Sequence, residues 1–304
     1  MTSLIEQAAQ RLEQLRQAGV DMPVVPPVAL AVDIAQKPAT EVQPAALSRR
    51  VEIDLEALAA AGIVSPNAPR SQIADQFRVI KRPLISNAMG KGASVIANGN
   101  LIMVTSALAG EGKTFTAINL AMSIATELDY TVMLVDADVA RPSVMSVLGL
   151  PTGPGLLDLV LSESKDLSDM LLRTNIDKLT ILPSGTPHAR ATELLASDAM
   201  IHLLDDMAKR YADRIIVFDS PPLLLATESR VLASHMGQVV MVVQAEKTLQ
   251  SEVAQALATI EACPVKLMLL NQARTISRGG YERGYGYGYG YGYGHGHGYE
   301  QQQA

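Results

Sequence analysis

Between Ala107 and Thr114 the sequence reads ALAGEGKT and runs on into FTAINLAMSIA, a helical pattern. A glycine-rich turn that ends in Lys and a hydroxyl residue can surround phosphate oxygens with backbone N–H groups, neutralise them with an ammonium, and offer an oxygen to Mg²⁺. Gly110, Glu111, Gly112, Lys113, Thr114 and Phe115 are therefore candidate nucleotide-binding residues, with Ala107 standing where the pattern GxxxxGK[S/T] opens on glycine. The stretch VDADVARP adds Asp136 and Asp138. Carboxylates one residue apart at a strand end share a face, where they can hold Mg²⁺ or take a proton from a substrate hydroxyl. RIIVFDSPP adds Asp219 after an apolar run, in the manner of a Walker B motif, positioned to orient Mg²⁺ with Thr114. Alone, Asp219 reads equally as a turn or helix-cap residue, and the alternative for Asp136 and Asp138, a solvated turn pair, carries less weight; company with the phosphate loop favours chemistry for all three. The set is Lys113, Asp136, Asp138 and Asp219 for catalysis, and Thr114, Asp136 and Asp219 for the metal.

Something must bring these stretches together. Short apolar runs at 101–106, 131–136, 179–183, 214–219, 238–243 and 265–271 alternate with helix-length segments. Near-continuous apolar runs imply strands buried on both faces, hence an α/β fold of the P-loop NTPase type with a mainly parallel sheet and helices on both sides. Such sheets bind ligands beyond the carboxyl ends of their strands, where all three motifs fall. A capping-box helix begins at Ser3, a Pro-rich linker follows, and a second helical pattern covers about 69–87. The expected organisation is an N-terminal helix and linker over 1–65, the nucleotide-binding domain over 66–272, and a tail over 273–304.

Composition sets that tail apart. The chain of 304 residues has nine Tyr, three Phe and no Trp, and Tyr281, Tyr285, Tyr287, Tyr289, Tyr291, Tyr293 and Tyr299 all lie in its last 24 residues. Ten of the 22 glycines fall between Gly279 and Gly298, and no Val, Leu, Ile or Met follows Ile276, so the tail cannot build a core and is expected to be flexible. The rest of the core must be aliphatic. A net charge of −6 argues against a general nucleic-acid binder. The single Cys263 allows no internal disulfide and reads as a packing residue, and no apolar run reaches the roughly 18–20 residues of a membrane span, so a cytoplasmic chain is expected.

With GEGKT, VDADVARP and FDSPP in this order before a tyrosine-rich end, residues 66–304 resemble the bacterial tyrosine autokinases (BY-kinases) of capsule and exopolysaccharide systems. IKRPLISNA, VDADVARPSV and ATELLAS are similar to the exosortase-associated branch. The resemblance implies ATP and Mg²⁺ as cofactors, transfer of phosphate to the seven tail tyrosines, and one of Asp136 and Asp138 as base. It implies a homo-oligomer of ring form, docked through Asp75, Arg78, Lys81 and Arg82 in the place of an ExxRxxR helix. It also implies a membrane-embedded Wzz-like adaptor as activator, which would make the chain peripheral at the inner membrane, and an opposing tyrosine phosphatase. Asn271 resembles the residue that reads adenine in related ATPases. Two departures stand out: Ala140 occupies the place of the family's Arg after the second Asp, with Arg141 next to it, and Ala109 replaces a proline. A flexible chain of about 32 residues spans about 30 Å r.m.s., enough for transfer to a neighbour. The competing readings are a ParA/MinD-like ATPase that modifies no tyrosine, disfavoured by Leu108 where many of that class carry a second Lys, and a non-catalytic nucleotide-binding scaffold.

Overall fold

The carboxyl ends of three strands meet at one place, and the sheet order explains how. A computed structural model of the chain describes residues 49–66, 71–162, 166–211 and 213–273. The expected N-terminal helix, the linker before residue 49 and the tyrosine-rich tail from residue 274 lie outside the described residues. The strands are β1 (Leu101–Ser106), β2 (Thr131–Asp136), β3 (Leu172–Arg173), β4 (Leu179–Leu182), β5 (Arg214–Asp219), β6 (Gln238–Gln244) and β7 (Val265–Asn271), in the order β3-β4-β2-β5-β1-β6-β7. All neighbours run parallel except the short β3, which is antiparallel to β4. In register, Asp136 lies beside Asp219 and Asp219 beside Val104, so β2 and β5 end level with one another and β1 runs two residues further, to Ser106.

The expected runs are strands, with β4 one residue shorter and β6 one residue longer, and the two-residue β3 is a strand that no run announced. Alternate residues of β1 serve opposite layers: Leu101 and Met103 join one apolar cluster, Ile102 and Val104 the other. Both clusters are chiefly aliphatic, the first also methionine-rich, with Phe218 in the first and Phe77 in the second. The strand β7 departs from the expectation of burial on both faces. It is an edge strand, and its Lys266, Met268 and Leu270 are exposed.

Helices α1 (Leu55–Ala60), α2 (Gln72–Ala88) and α3 (Lys113–Ala125) belong to the second cluster's side. Asp54 caps α1 by accepting from the N–H groups of Glu56 and Ala57, and Ser71 caps α2 by accepting from that of Ala74. The domain boundary expected at residue 66 therefore moves towards the N-terminus. Ile53, Leu58, Ile63 and Val64 are all buried, and the Val64 N–H donates to Asn119 Oδ1 on α3 at 2.8 Å. Proline frequency near this segment reads as linker, but four apolar side chains at suitable spacing outweigh it. Among the described residues no helix is long and apolar enough to cross a membrane.

If this segment is part of the core, Leu58→Ala should cost about 2–5 kcal/mol and lower the melting temperature by roughly 5–15 °C in a circular-dichroism scan. A linker residue would leave the transition where it is.

Candidate functional site

The turn from β1 into α3 is built around Gly112, whose φ of +94° belongs to the left-handed region. A Cβ there would also lie 2.1 Å from Asn271 Nδ2. Gly112 caps α3 with no side-chain bond, so the first-turn N–H groups keep their capacity for an anion. Asn271, at the end of β7, donates from Nδ2 to the Glu111 carbonyl at 2.9 Å and so holds the loop from outside. Glu111 holds it from inside. Its carboxylate is 2% exposed, accepts from the Leu108 N–H at 2.6 Å, and takes a hydrogen bond from the Thr248 hydroxyl. The Glu111 side chain thus braces the loop, because both its oxygens are engaged within the protein, and a nucleotide contact at this residue falls to its backbone N–H. Phe115 sits half-buried in the first turn of α3, near Asn271 and Ile80 on the wall of an apolar groove.

The charged residues interlock. Lys113 Nζ lies 2.7 Å from Asp138 Oδ2, and Asp138 Oδ1 accepts from the Arg141 N–H at 3.1 Å. Arg141 itself is exposed, so it approaches Asp138 through backbone alone in this arrangement. Thr114 Oγ1 donates to Asp219 Oδ2 at 2.6 Å and lies 3.0 Å from Ser143 Oγ. Asp136 Oδ2 accepts from the N–H groups of Ser143 and Val144 at 3.1 and 3.0 Å, where the short helix α4 (Val144–Val147) begins. Ser143 is the member that sequence reasoning missed. Its signal was available, since a serine before a helix and seven residues beyond Asp136 is placed to return to it.

Three carboxylates therefore share one ammonium, and the imbalance shows in their acidity. Burial pushes Asp219 up to about 7, against the pull of Lys113 and the Thr114 hydrogen bond and with the aid of its carboxylate neighbours. Burial likewise raises Asp136 to about 6, opposed by the Val144 N–H and reinforced by Asp138. Asp136 Oδ1 and Asp219 Oδ1 are buried without a hydrogen-bond partner among the described residues. Two orphaned carboxylate oxygens beside the Thr114 hydroxyl fit a hard divalent cation. No three His, Cys, Asp or Glu side chains among the described residues form a complete metal cage. Mg²⁺ does not require one, because it is usually bound by one or two carboxylates together with waters and substrate phosphates.

The residues expected at a subunit contact divide. On α2, Asp75 and Arg78 are ion-paired and exposed, and Arg82 is exposed. Lys81 is not available: it is 2% exposed and its ammonium turns inward to the Ser123 carbonyl, Thr126 Oγ1 at 3.2 Å and Glu127 Oε1 at 2.6 Å. It neutralises the carbonyl end of α3, a favourable place for a cation. Spacing of three residues put Lys81 with Arg78, but packing against the phosphate-loop helix decided its direction. Cys263 is buried as expected, and burial raises its thiol.

Comparison with known proteins places this arrangement among nucleotide-binding domains and kinases. The AAA domain family matches residues 99–272, more than half of the chain. The tyrosine-protein kinase YwqD of Bacillus subtilis is 30% identical over 206 residues, 68% of this chain and 83% of that protein. The tyrosine-protein kinase CpsD of Streptococcus agalactiae is 34% identical over 170 residues, 55% of this chain and 72% of that one. Among solved structures, the chimerical protein CapA2B2 superposes with a TM-score of 0.56 at 28% identity, covering 71% of this chain and 98% of its own.

Two outcomes test the geometry. Gly112→Ala should abolish binding of a fluorescent adenine nucleotide while the fold persists, since both φ and the Asn271 amide exclude a Cβ. For Asp219, the sign follows from a folded pKa of about 7 above the ordinary 3.8. Ionising it costs the folded state, a cost that is absent below about pH 4, grows through the interval, and is complete above about pH 7. Metal-free Asp219→Asn should therefore melt several degrees above the parent at pH 8, with the gap closing towards pH 4.

Proposed function

We infer, from the premise that the chain belongs to the bacterial tyrosine kinases (BY-kinases) and is a tyrosine-protein kinase, that its substrate is its own C-terminal tyrosine cluster. ATP is the phosphate donor, transfer runs in trans within a homo-oligomer, and the cycle controls synthesis and export of an exopolysaccharide or capsule. The observation that carries this reading is the Lys113–Asp138 pair at 2.7 Å. An ammonium that can follow phosphate is stored against a carboxylate, so nucleotide entry draws Lys113 to the phosphates and releases Asp138. The tyrosine oxygen then bonds to the γ-phosphorus, the bond from that phosphorus to the ADP oxygen breaks, and the phenolic proton passes to Asp138. Asp136 is the poorer base, since its Oδ2 is committed to the start of α4. Mg²⁺, when bound, would be held by Thr114, Asp136 and Asp219 and would neutralise charge on the phosphate oxygens. Phosphoryl transfer is mostly positioning and electrostatics, which these residues supply.

Tyr281, Tyr285, Tyr287, Tyr289, Tyr291, Tyr293 and Tyr299 are the proposed acceptors. The chain leaves β7 beside the phosphate loop, where Gln272 Nε2 donates to the Gly110 carbonyl at 3.3 Å, so tails start near active sites. Asp75, Arg78 and Arg82 are the proposed subunit contact, and Asn271 the proposed reader of adenine. A Wzz-like membrane adaptor as activator, an opposing phosphatase and a peripheral place at the inner membrane complete the reading by family resemblance. A ParA/MinD-like cycle is disfavoured because Leu108 packs against the core and brings no second ammonium to the loop.

Incubation with Mg-ATP followed by phosphotyrosine mass spectrometry tests this. The parent should label tail tyrosines, Lys113→Met none, and Asp138→Asn should transfer about 10²–10⁴-fold more slowly with nucleotide affinity little changed. A chain ending at Arg278 should label the tail of the Lys113→Met chain, as transfer in trans demands. Hydrolysis without tail phosphate would favour the ATPase reading, and neither activity a scaffold.

A further inference from the structure

At the amino ends of the strands, remote from the phosphate loop, the fold assembles three arginines around a single carboxylate, Asp177. Residues 49–53 pair with β3: the Val51 N–H donates to the Arg173 carbonyl at 2.8 Å and the Arg173 N–H to the Arg49 carbonyl at 2.9 Å. Asn175 fixes the segment through both its amide groups, accepting from the Ile53 N–H and donating to the Ile53 carbonyl, each at 3.0 Å. This pairing sets Arg50 directly opposite Arg173 in a parallel bridge. Like charges directly opposite each other in a sheet are destabilising, so the pair is a cost that the fold alone does not explain.

Arg214, the first residue of β5, completes the group. Its guanidinium lies 4.9 Å from the Tyr211 ring centroid and reaches Thr180 at 3.5 Å, the limit of a hydrogen bond. Arg214 Nε is buried with no partner among the described residues. Arg50, Arg173 and Arg214 line one pocket of about 330 Å³ with Thr174 and Thr180. The exposed Asp177 also lines it, yet among the described residues none of the three arginines forms an ion pair. With about 3.3 Å per strand residue, Arg214 lies about 17 Å along β5 from Asp219, so the pocket is separate from the catalytic centre.

We propose that this pocket binds phosphotyrosine, specifically that of the chain's phosphorylated Gly/Tyr tail. Guanidinium groups are suited to phosphate because their planar donors match its oxygens, and a phosphate monoester brings about −1.5 to −2 charge to a place that holds three unpaired cations. The tail favours this occupant over other anions. It carries seven tyrosines separated mostly by single glycines, so a phosphorylated ring can enter without a bulky neighbour. Capture there withdraws a finished tail from the catalytic end of the sheet. The identity of the ligand rests on the proposed tail phosphorylation, whereas the pocket does not.

The test is made independent of kinase activity. The full chain carrying Lys113→Met is titrated calorimetrically with a synthetic GYGYGYG peptide phosphorylated on its central tyrosine, with the unphosphorylated peptide, with inorganic phosphate, and with phosphatidylglycerol vesicles. The phosphopeptide should bind, and the unphosphorylated peptide should not. Adding Arg50→Gln and Arg173→Gln should weaken binding at least about tenfold while leaving the thermal transition in place. Asp177→Asn should tighten it a few-fold by removing the one carboxylate of the pocket, a gain that a merely misfolded variant cannot show. Equal binding of both peptides, phosphopeptide binding unaffected by the arginine substitutions, or arginine-dependent binding of phosphate or vesicles without that of the phosphopeptide would each overturn the proposal.

Discussion

Three carboxylates held at the level ends of adjacent strands, with one ammonium among them, are the constraint around which this domain is arranged. Asp136 and Asp219 are placed side by side by the register of β2 and β5, and Asp138 follows two residues on. None is appreciably exposed, so their mutual repulsion is not relieved by water. The protein answers with Lys113 on Asp138, Thr114 on Asp219, and two backbone N–H groups on Asp136, and still leaves two oxygens without a donor. An arrangement of this sort lowers stability in isolation. It is intelligible as a site in which part of the balancing charge arrives with the substrate.

The surrounding structure keeps that site in place without filling it. Glu111 closes the phosphate loop from within, Asn271 clasps it from the far side of β6, and Thr248 ties it to the turn after β6. Lys81 fastens α2 to the carbonyl end of α3, so the helix that exposes Asp75, Arg78 and Arg82 is anchored on the helix that carries Lys113. Contacts made on the outer face of α2 are therefore one packed layer from the phosphate loop.

Much of this was legible in the sequence because the strands are apolar, of proper length and separated by clear turns. The ends of β1, β2 and β5 follow from runs that stop at Ser106, Asp136 and Asp219, and the chemistry at those ends follows from residue type. What was not legible depended on direction and on distant partners. Lys81 has the spacing of a surface charge, and only the proximity of Ser123, Thr126 and Glu127, more than forty residues away, turns it inward. Glu111 lies within the phosphate motif yet is used by Leu108 and Thr248. Residues 49–65 read as linker because prolines dominate the segment before them, while their four buried aliphatic side chains declare themselves only against α3 and the sheet.

Burial raises Asp219 to about 7 and Asp136 to about 6, and a divalent cation bound with nucleotide would displace the protons these two carboxyls hold, the exchange on which the site depends. It is tested most directly by titrating preformed Mg-ADP into the chain at pH 7 in two buffers of different ionisation enthalpy. Metal binding to carboxylates releases their protons, and a pKa of about 7 for Asp219 predicts release of roughly half a proton or more per chain, largely lost in Asp219→Asn. Binding with no proton release in the parent would contradict the account.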